Sequence, residues 1–155
     1  MKKITSRYHF WLLVFAIGVC EGAGVIGSFF TFPAITGWYA TLVKPTFSPP
    51  NYLFGPVWTF LYFLMGVALY LVWIRKGDLK WFWVQLILNS LWSIIFFGLR
   101  SPALALIEIF FLWFTIVLTI KSFMKVYKPA ASLLFPYLLW VSFASVLNFS
   151  VWILN

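Results

Sequence analysis

Five apolar runs of about 20 residues each, nearly free of charge, constrain this chain more than any other feature. They fall at about 10–30, 52–74, 79–99, 102–124 and 130–154. Backbone placed in hydrocarbon must satisfy its N–H and C=O groups internally, and a single run of this length does so as an α-helix. Each run has the reach to cross a bilayer. The breaks at 75–78, 100–101 and 125–129 are short, so consecutive helices must lie antiparallel. The expected fold is an all-α membrane protein, a five-transmembrane-helix bundle forming a single domain over residues 1–155. Its first partner is the lipid bilayer: 64% of residues are hydrophobic and 9% charged, against about 25% charged in ordinary soluble domains.

One break is different. Residues 31–51 carry Pro33, Pro45, Pro49 and Pro50, which predicts a long proline-rich loop between helices 1 and 2. In a chain otherwise economical with loops, such a segment is usually a lid or a binding loop.

The net charge of +8 would suggest nucleic acid in a soluble protein, but here the cations fall between apolar runs rather than along one face. Nucleic acid is therefore not an expected partner. Lys2, Lys3, Arg7, Arg75, Lys76, Lys80, Lys121, Lys125 and Lys128 gather on one side of the predicted bundle, with Lys44 and Arg100 opposite. The positive-inside rule puts the N-terminus in the cytoplasm and the proline-rich loop on the far side. The expected location is a bacterial cytoplasmic membrane, with a bacterial or mitochondrial outer membrane as alternatives. The first run exceeds a signal-peptide core and lacks a small-residue cleavage site, so it reads as a retained helix. Cys20, the single cysteine, cannot form an internal disulfide and reads as a packing residue.

Ten tryptophans need sorting. Trp11, Trp73, Trp81, Trp83 and Trp152 lie near predicted helix ends and fit an interfacial belt. Trp58, Trp92, Trp113 and Trp140 lie deeper, where an indole N–H facing hydrocarbon would lack a partner, so these are expected to point inward. Residues three or four apart share a helix face. Helix two then groups Trp58, Tyr62 and Gly66; helix three groups Gln85, Asn89, Trp92, Ser93 and Phe96; helix five groups Trp140, Ala144 and Asn148. Aromatic plates mixed with uncharged hydrogen-bonding groups suit a flat, largely apolar ligand with a few polar edges. The competing reading is that Gln85, Asn89, Ser93 and Asn148 only tie helices together, at up to about 2 kcal/mol each.

Several separated motifs then align in order. They are Trp38-Tyr39-x-x-Leu42-x-Lys44-Pro45-x-Phe47-x-Pro49-Pro50, and Pro56-x-Trp58-x-x-Leu61-Tyr62. Gln85-Leu86-x-Leu88-Asn89-x-x-Trp92-Ser93-x-x-Phe96-Phe97 and Pro136-Tyr137-x-x-Trp140-x-x-Phe143-Ala144-x-x-Leu147-Asn148 follow. Together they resemble the tryptophan-rich sensory protein (TspO) / translocator protein family over nearly the whole chain.

The resemblance implies a five-helix bundle, commonly a homodimer, that binds porphyrins such as protoporphyrin IX as ligands without a covalent cofactor. Some members also take sterols and benzodiazepine-type or isoquinoline carboxamide ligands. By position, Tyr39 and Pro49 would belong to the lid, Trp58 and Tyr62 to one wall, and Asn89, Trp92, Ser93 and Phe96 to a second. Trp140, Phe143 and Ala144 would form the third. The animal members' cholesterol pattern ends in a tyrosine followed by an arginine; here Phe149 stands at the tyrosine position with no basic residue after it. Val67, Tyr70 and Arg75 do match the broader sterol pattern on helix two.

Three functions follow as expectations. The first is a porphyrin receptor acting as sensor or translocator. The second is a light- and oxygen-dependent porphyrin-degrading enzyme, with Trp58 and Trp140 as candidate oxidation partners, although no acid–base machinery supports turnover. The third is transport or signalling through the intramembrane acids Glu21 and Glu108, since ionisable groups in spans are costly enough to suggest function. Gly18-x-x-x-Gly22 and Ala23-x-x-x-Gly27 permit close helix packing, within or between copies. His9 stands alone at the membrane edge, so no metal site is expected.

Overall fold

A computed structural model describes residues 6–155; Lys2 and Lys3 of the predicted cationic cluster lie outside the described residues. Five helices are long and apolar enough to cross a membrane: Arg7–Thr36, Asn51–Trp73, Lys80–Gly98, Pro102–Val126 and Lys128–Leu154. In chain order the elements are α1 (Ser6–Thr36), α2 (Trp38–Thr41), α3 (Asn51–Trp73), α4 (Lys80–Ser93), α5 (Pro102–Val126), α6 (Lys128–Ser132) and α7 (Phe135–Leu154). A π turn at Ile94–Gly98 continues α4.

Element ends have local causes. Pro102 occupies the first turn of α5, where a missing N–H costs nothing, and the Ser101 hydroxyl accepts from Leu104 N–H at 3.4 Å. Past α3, Lys76 adopts φ 54° and Gly77 N–H reaches back to the Val72 carbonyl at 3.1 Å, a left-handed stop that reverses the chain toward α4. The first helix differs from the sequence reading, which ends it near residue 30. It continues through Pro33 to Thr36, because a membrane helix tolerates proline where neighbouring hydroxyls and helices re-satisfy its backbone. The connection to α3 is thus 37–50, part of it helical as α2.

Lipid tails are as apolar as leucine, so helices in a bilayer associate through van der Waals contact and interhelical hydrogen bonds rather than hydrophobic exclusion. Close approach requires small residues. At Gly66 an added Cβ would lie 2.5 Å from the Ile17 Cα, so α1 and α3 meet there backbone to backbone. The end of the bundle carrying the N-terminus is solid. There Ala16 and Cys20 of α1, Met65, Leu69 and Val72 of α3, and Phe82 of α4 are fully buried, with Phe82 stacked on Phe123 at 5.8 Å. The opposite end is hollow, with a cavity lined from Tyr62 outward by residues of the same helices.

Trp113 departs from the expectation that deep indoles point inward. Its ring is 38% exposed on the outer face, and its N–H donates to the Ser142 hydroxyl of α7 at 2.8 Å. The premise was that an outward indole lacks a partner; Ser142 supplies one. Gly18 and Gly22 also look outward, with nothing within 4 Å of an added Cβ. Gly22 and Ala23 floor a shallow apolar groove of about 500 Å³ between α1 and α4, whose walls include Ile26, Ile87 and Leu91.

Candidate functional site

The hollow end contains a cavity of about 410 Å³, within the range of roughly 300–1,000 Å³ typical of small-molecule sites. Four spans and the 37–50 connection build it. From α3 come Phe54, Trp58 and Tyr62; from α4 and its π turn Trp92, Ser93 and Phe96; from α7 Trp140, Ala144 and Asn148; and from α2 Tyr39. The fourth wall is α1, which contributes Glu21, Gly24, Ser28, Thr31 and Ile35. These repeat at alternating three- and four-residue steps, one helical stripe.

A hydrogen-bonded layer separates cavity from solid core. The Tyr62 hydroxyl donates to Asn89 Oδ1, Asn89 Nδ2 donates to the Tyr137 hydroxyl at 2.9 Å, and that hydroxyl donates to Gln85 Oε1 at 2.9 Å. Three helices are joined in one buried chain. Trp58 stacks on Tyr62 at 5.6 Å and meets the Tyr137 ring edge-on at 6.3 Å, so the layer also fixes the cavity's first aromatic plate. Trp92 is fixed from its polar edge: its N–H donates to Asn148 Oδ1 at 3.1 Å, and Asn148 Nδ2 donates to the Pro102 carbonyl at 2.8 Å. Its face stacks on Phe96 at 5.0 Å. Trp140 is held by packing alone, between Phe54 at 6.0 Å and Phe143 at 5.4 Å, with its N–H buried and without an acceptor.

Tyr137→Phe tests this layer. It leaves the buried Asn89 N–H and Gln85 carbonyl without partners, so a loss of about 1–3 kcal/mol is expected, read as a lowered denaturation midpoint in detergent. Tyr137 does not line the cavity, so ligand affinity should hold within about threefold, well under 1 kcal/mol.

The sequence-derived positions divide as follows. Tyr39, Trp58, Tyr62, Trp92, Ser93, Phe96, Trp140 and Ala144 line the one cavity. Asn89 lies just beneath it, occupied on both amide atoms. Phe143 stands behind Trp140, meeting Phe47 of the connecting segment at 6.4 Å. Pro49 sits in that segment without facing the hollow. Gln85 and Asn89 therefore tie helices, whereas Asn148 both ties and lines.

The two intramembrane acids also part company. Glu21 faces the cavity. Glu108 is buried in α5 away from it, and neither carboxyl oxygen has a hydrogen-bond partner. Among the described residues no cluster of His, Cys, Asp and Glu is arranged to hold a metal; His9 instead meets the Tyr70 hydroxyl at 3.2 Å.

The 37–50 segment is anchored to the bundle, and its Tyr39 lines the cavity. Tyr39 is 5% exposed and packs edge-on against Phe96 at 6.2 Å and Phe97 at 5.6 Å. Burial pushes its phenol up from its ordinary value, so the hydroxyl stays neutral at physiological pH. Val43 is gripped on both backbone groups by the Asn155 side chain, N–H to Oδ1 and Nδ2 to carbonyl, each at 3.0 Å.

With aromatic walls from three helices enclosing one hollow, comparison with known proteins becomes informative. The TspO/MBR family profile matches residues 16–153. The chain belongs to the TspO/MBR family. Similar relatives agree: the tryptophan-rich protein TspO of Chlorobaculum tepidum is 48% identical over 151 residues, covering 92% of this chain and 95% of its own. That of Archaeoglobus fulgidus is 46% identical over 148 residues, covering 92% and 96%. The human translocator protein is 38% identical over 135 residues, covering 82% and 80%. The matched TspO/MBR region includes every residue that lines the cavity.

The sequence reading missed the α1 wall. Its signal was present as Glu21, Gly24, Ser28, Thr31 and Ile35 on one stripe, but without a tryptophan it reads as ordinary small-residue packing.

Proposed function

We propose that this TspO-family protein is a membrane receptor for porphyrin-class tetrapyrroles, acting as a sensor or translocator. The observation that carries the reading is the convergence of Trp58, Trp92 and Trp140, from three different helices, on one cavity of about 410 Å³. Indole faces offer a planar macrocycle stacking partners, and the hydroxyl and amide groups between them serve its polar edges. Binding is by stacking and edge contacts, without coordination by the chain.

Residues 37–50, with Pro45, Pro49 and Pro50, act as the lid. The N-terminus faces the cytoplasm and the lid the far side of a bacterial cytoplasmic membrane, a reading supported by the cation distribution. The outward Gly18 and Gly22 face receives a second copy in a homodimer. Sterols and isoquinoline carboxamide or benzodiazepine-type compounds are secondary ligands of the same family-wide kind.

The test is titration of free-base protoporphyrin IX against tryptophan fluorescence of the purified chain in detergent. Trp58→Ala and Trp140→Ala are each expected to weaken binding about tenfold or more, near the 1–3 kcal/mol that one base–aromatic stack contributes elsewhere. Unchanged affinity in both variants contradicts the reading. On this reading the chain holds porphyrin without consuming it: under illumination in air, pigment loss should give the same products at the same rate with and without the protein.

A further inference from the structure

The cavity is electrically lopsided. Glu21 lines its lower α1 wall, whereas Lys44 of the lid does not line it but stands against the lining residue Tyr39. The Lys44 ammonium lies 4.7 Å from the centroid of the Tyr39 ring, whose other surroundings include the cavity itself. An aromatic face engages a cation without satisfying its N–H donors. No acidic side chain stands in the lid or in the other links at that end, since the three are Glu21, Asp78 and Glu108. Lys44 is also held in place: the neighbouring Val43 is clasped on both backbone groups by Asn155 at the end of α7. Four cavity hydroxyls are engaged already, Ser28 with the Val25 carbonyl, Thr31 with Gly27, Thr59 with Gly55 and Tyr62 with Asn89, which leaves the Ser93 hydroxyl and the Trp140 N–H as neutral donors there. An acidic substituent on a ligand would meet only neutral donors there, no cation, and would meet Glu21.

We propose that Lys44 is the specificity-determining residue that recognises a carboxylate on the ligand. A flat ligand enters with its acidic substituents toward the lid and its apolar edge toward Tyr62 and Glu21. The ammonium, partly shielded by Tyr39, forms a charge-assisted hydrogen bond with the carboxylate, stronger than one made in open water. This inference rests on the porphyrin-receptor reading and adds to it the orientation of the guest and the chemistry selected.

The experiment uses two probes, free-base protoporphyrin IX with two carboxylates and its dimethyl ester with none. Each is titrated against the full chain in detergent, in the unsubstituted protein and in Lys44→Met, Lys44→Arg and Arg100→Gln. The ratio of the two affinities is compared across variants, which removes the difference in micelle partitioning. Lys44→Met is expected to lower diacid affinity about tenfold and leave the diester within about twofold. Lys44→Arg should restore most of the ratio, and Arg100→Gln, altering an exposed residue away from the cavity, should not change it. A ratio unmoved by Lys44→Met, whether both affinities stay or both fall, overturns the proposal. Failure of the unsubstituted chain to bind either probe overturns the receptor reading instead.

Discussion

Ala144→Phe is expected to abolish porphyrin binding, weakening it at least about a hundredfold, close to 3 kcal/mol, while leaving the bundle intact. Ala144 sits on α7 one turn beyond Trp140 and lines the cavity with it. A benzyl group there enters space rather than packed atoms, so the overpacking cost of inserting bulk into a filled core does not arise. It would occupy cavity space that Ala144 shares with Trp92 and Trp140, which the proposed planar guest needs. The check pairs a protoporphyrin IX titration with a thermal melt in the same detergent. Lost binding with an unchanged melt is the expected result; retained affinity would mean that the guest lies elsewhere.

Gly66→Leu is expected to have the largest effect on the fold, a destabilisation of about 3 kcal/mol or more, at the upper end for overpacking. An added Cβ would meet the Ile17 Cα at 2.5 Å, its Cγ1 at 2.9 Å and its N at 3.0 Å. Two of those three atoms are backbone, so relief requires α1 and α3 to separate, which also releases the α1 wall of the cavity. Gly55→Leu, on the same helix and away from the proposed dimer face, is the matched control, because nothing lies within 4 Å of its added Cβ. Its melt should move by less than about 0.5 kcal/mol. Equal losses at both glycines would contradict the packing described.

These two positions show what can be read from sequence and what cannot. The spans were legible because hydrocarbon imposes a length and a composition, and charge or proline punctuates the runs. The walls carried by α3, α4 and α7 were legible because a tryptophan marks each face and helical spacing adds its neighbours. Gly66 shared a predicted face with Trp58 and Tyr62 yet packs against Ile17, since a stripe at four-residue steps drifts around an α-helix and the cavity lining on this helix ends at Tyr62. Trp113 looked like a fourth inward indole until Ser142 supplied its acceptor from a neighbouring helix, a pairing that no spacing within α5 encodes. The α1 wall stayed hidden for a related reason: glycine and hydroxyl residues serve helix contact and cavity lining equally well. Phe143 and Pro49 matched family positions but do not line the cavity, Phe143 instead packing against Trp140 and Phe47. The Asn155 grip on Val43 spans 112 residues and depends on where α7 ends.

The most direct test of the central claim is an experimental structure of the full chain with free-base protoporphyrin IX bound. The account predicts the macrocycle beneath the 37–50 segment, stacked among Trp58, Trp92 and Trp140, with its carboxylates near Lys44. A macrocycle lying instead in the outer groove against Gly22 and Ala23, with the cavity unfilled, would contradict it.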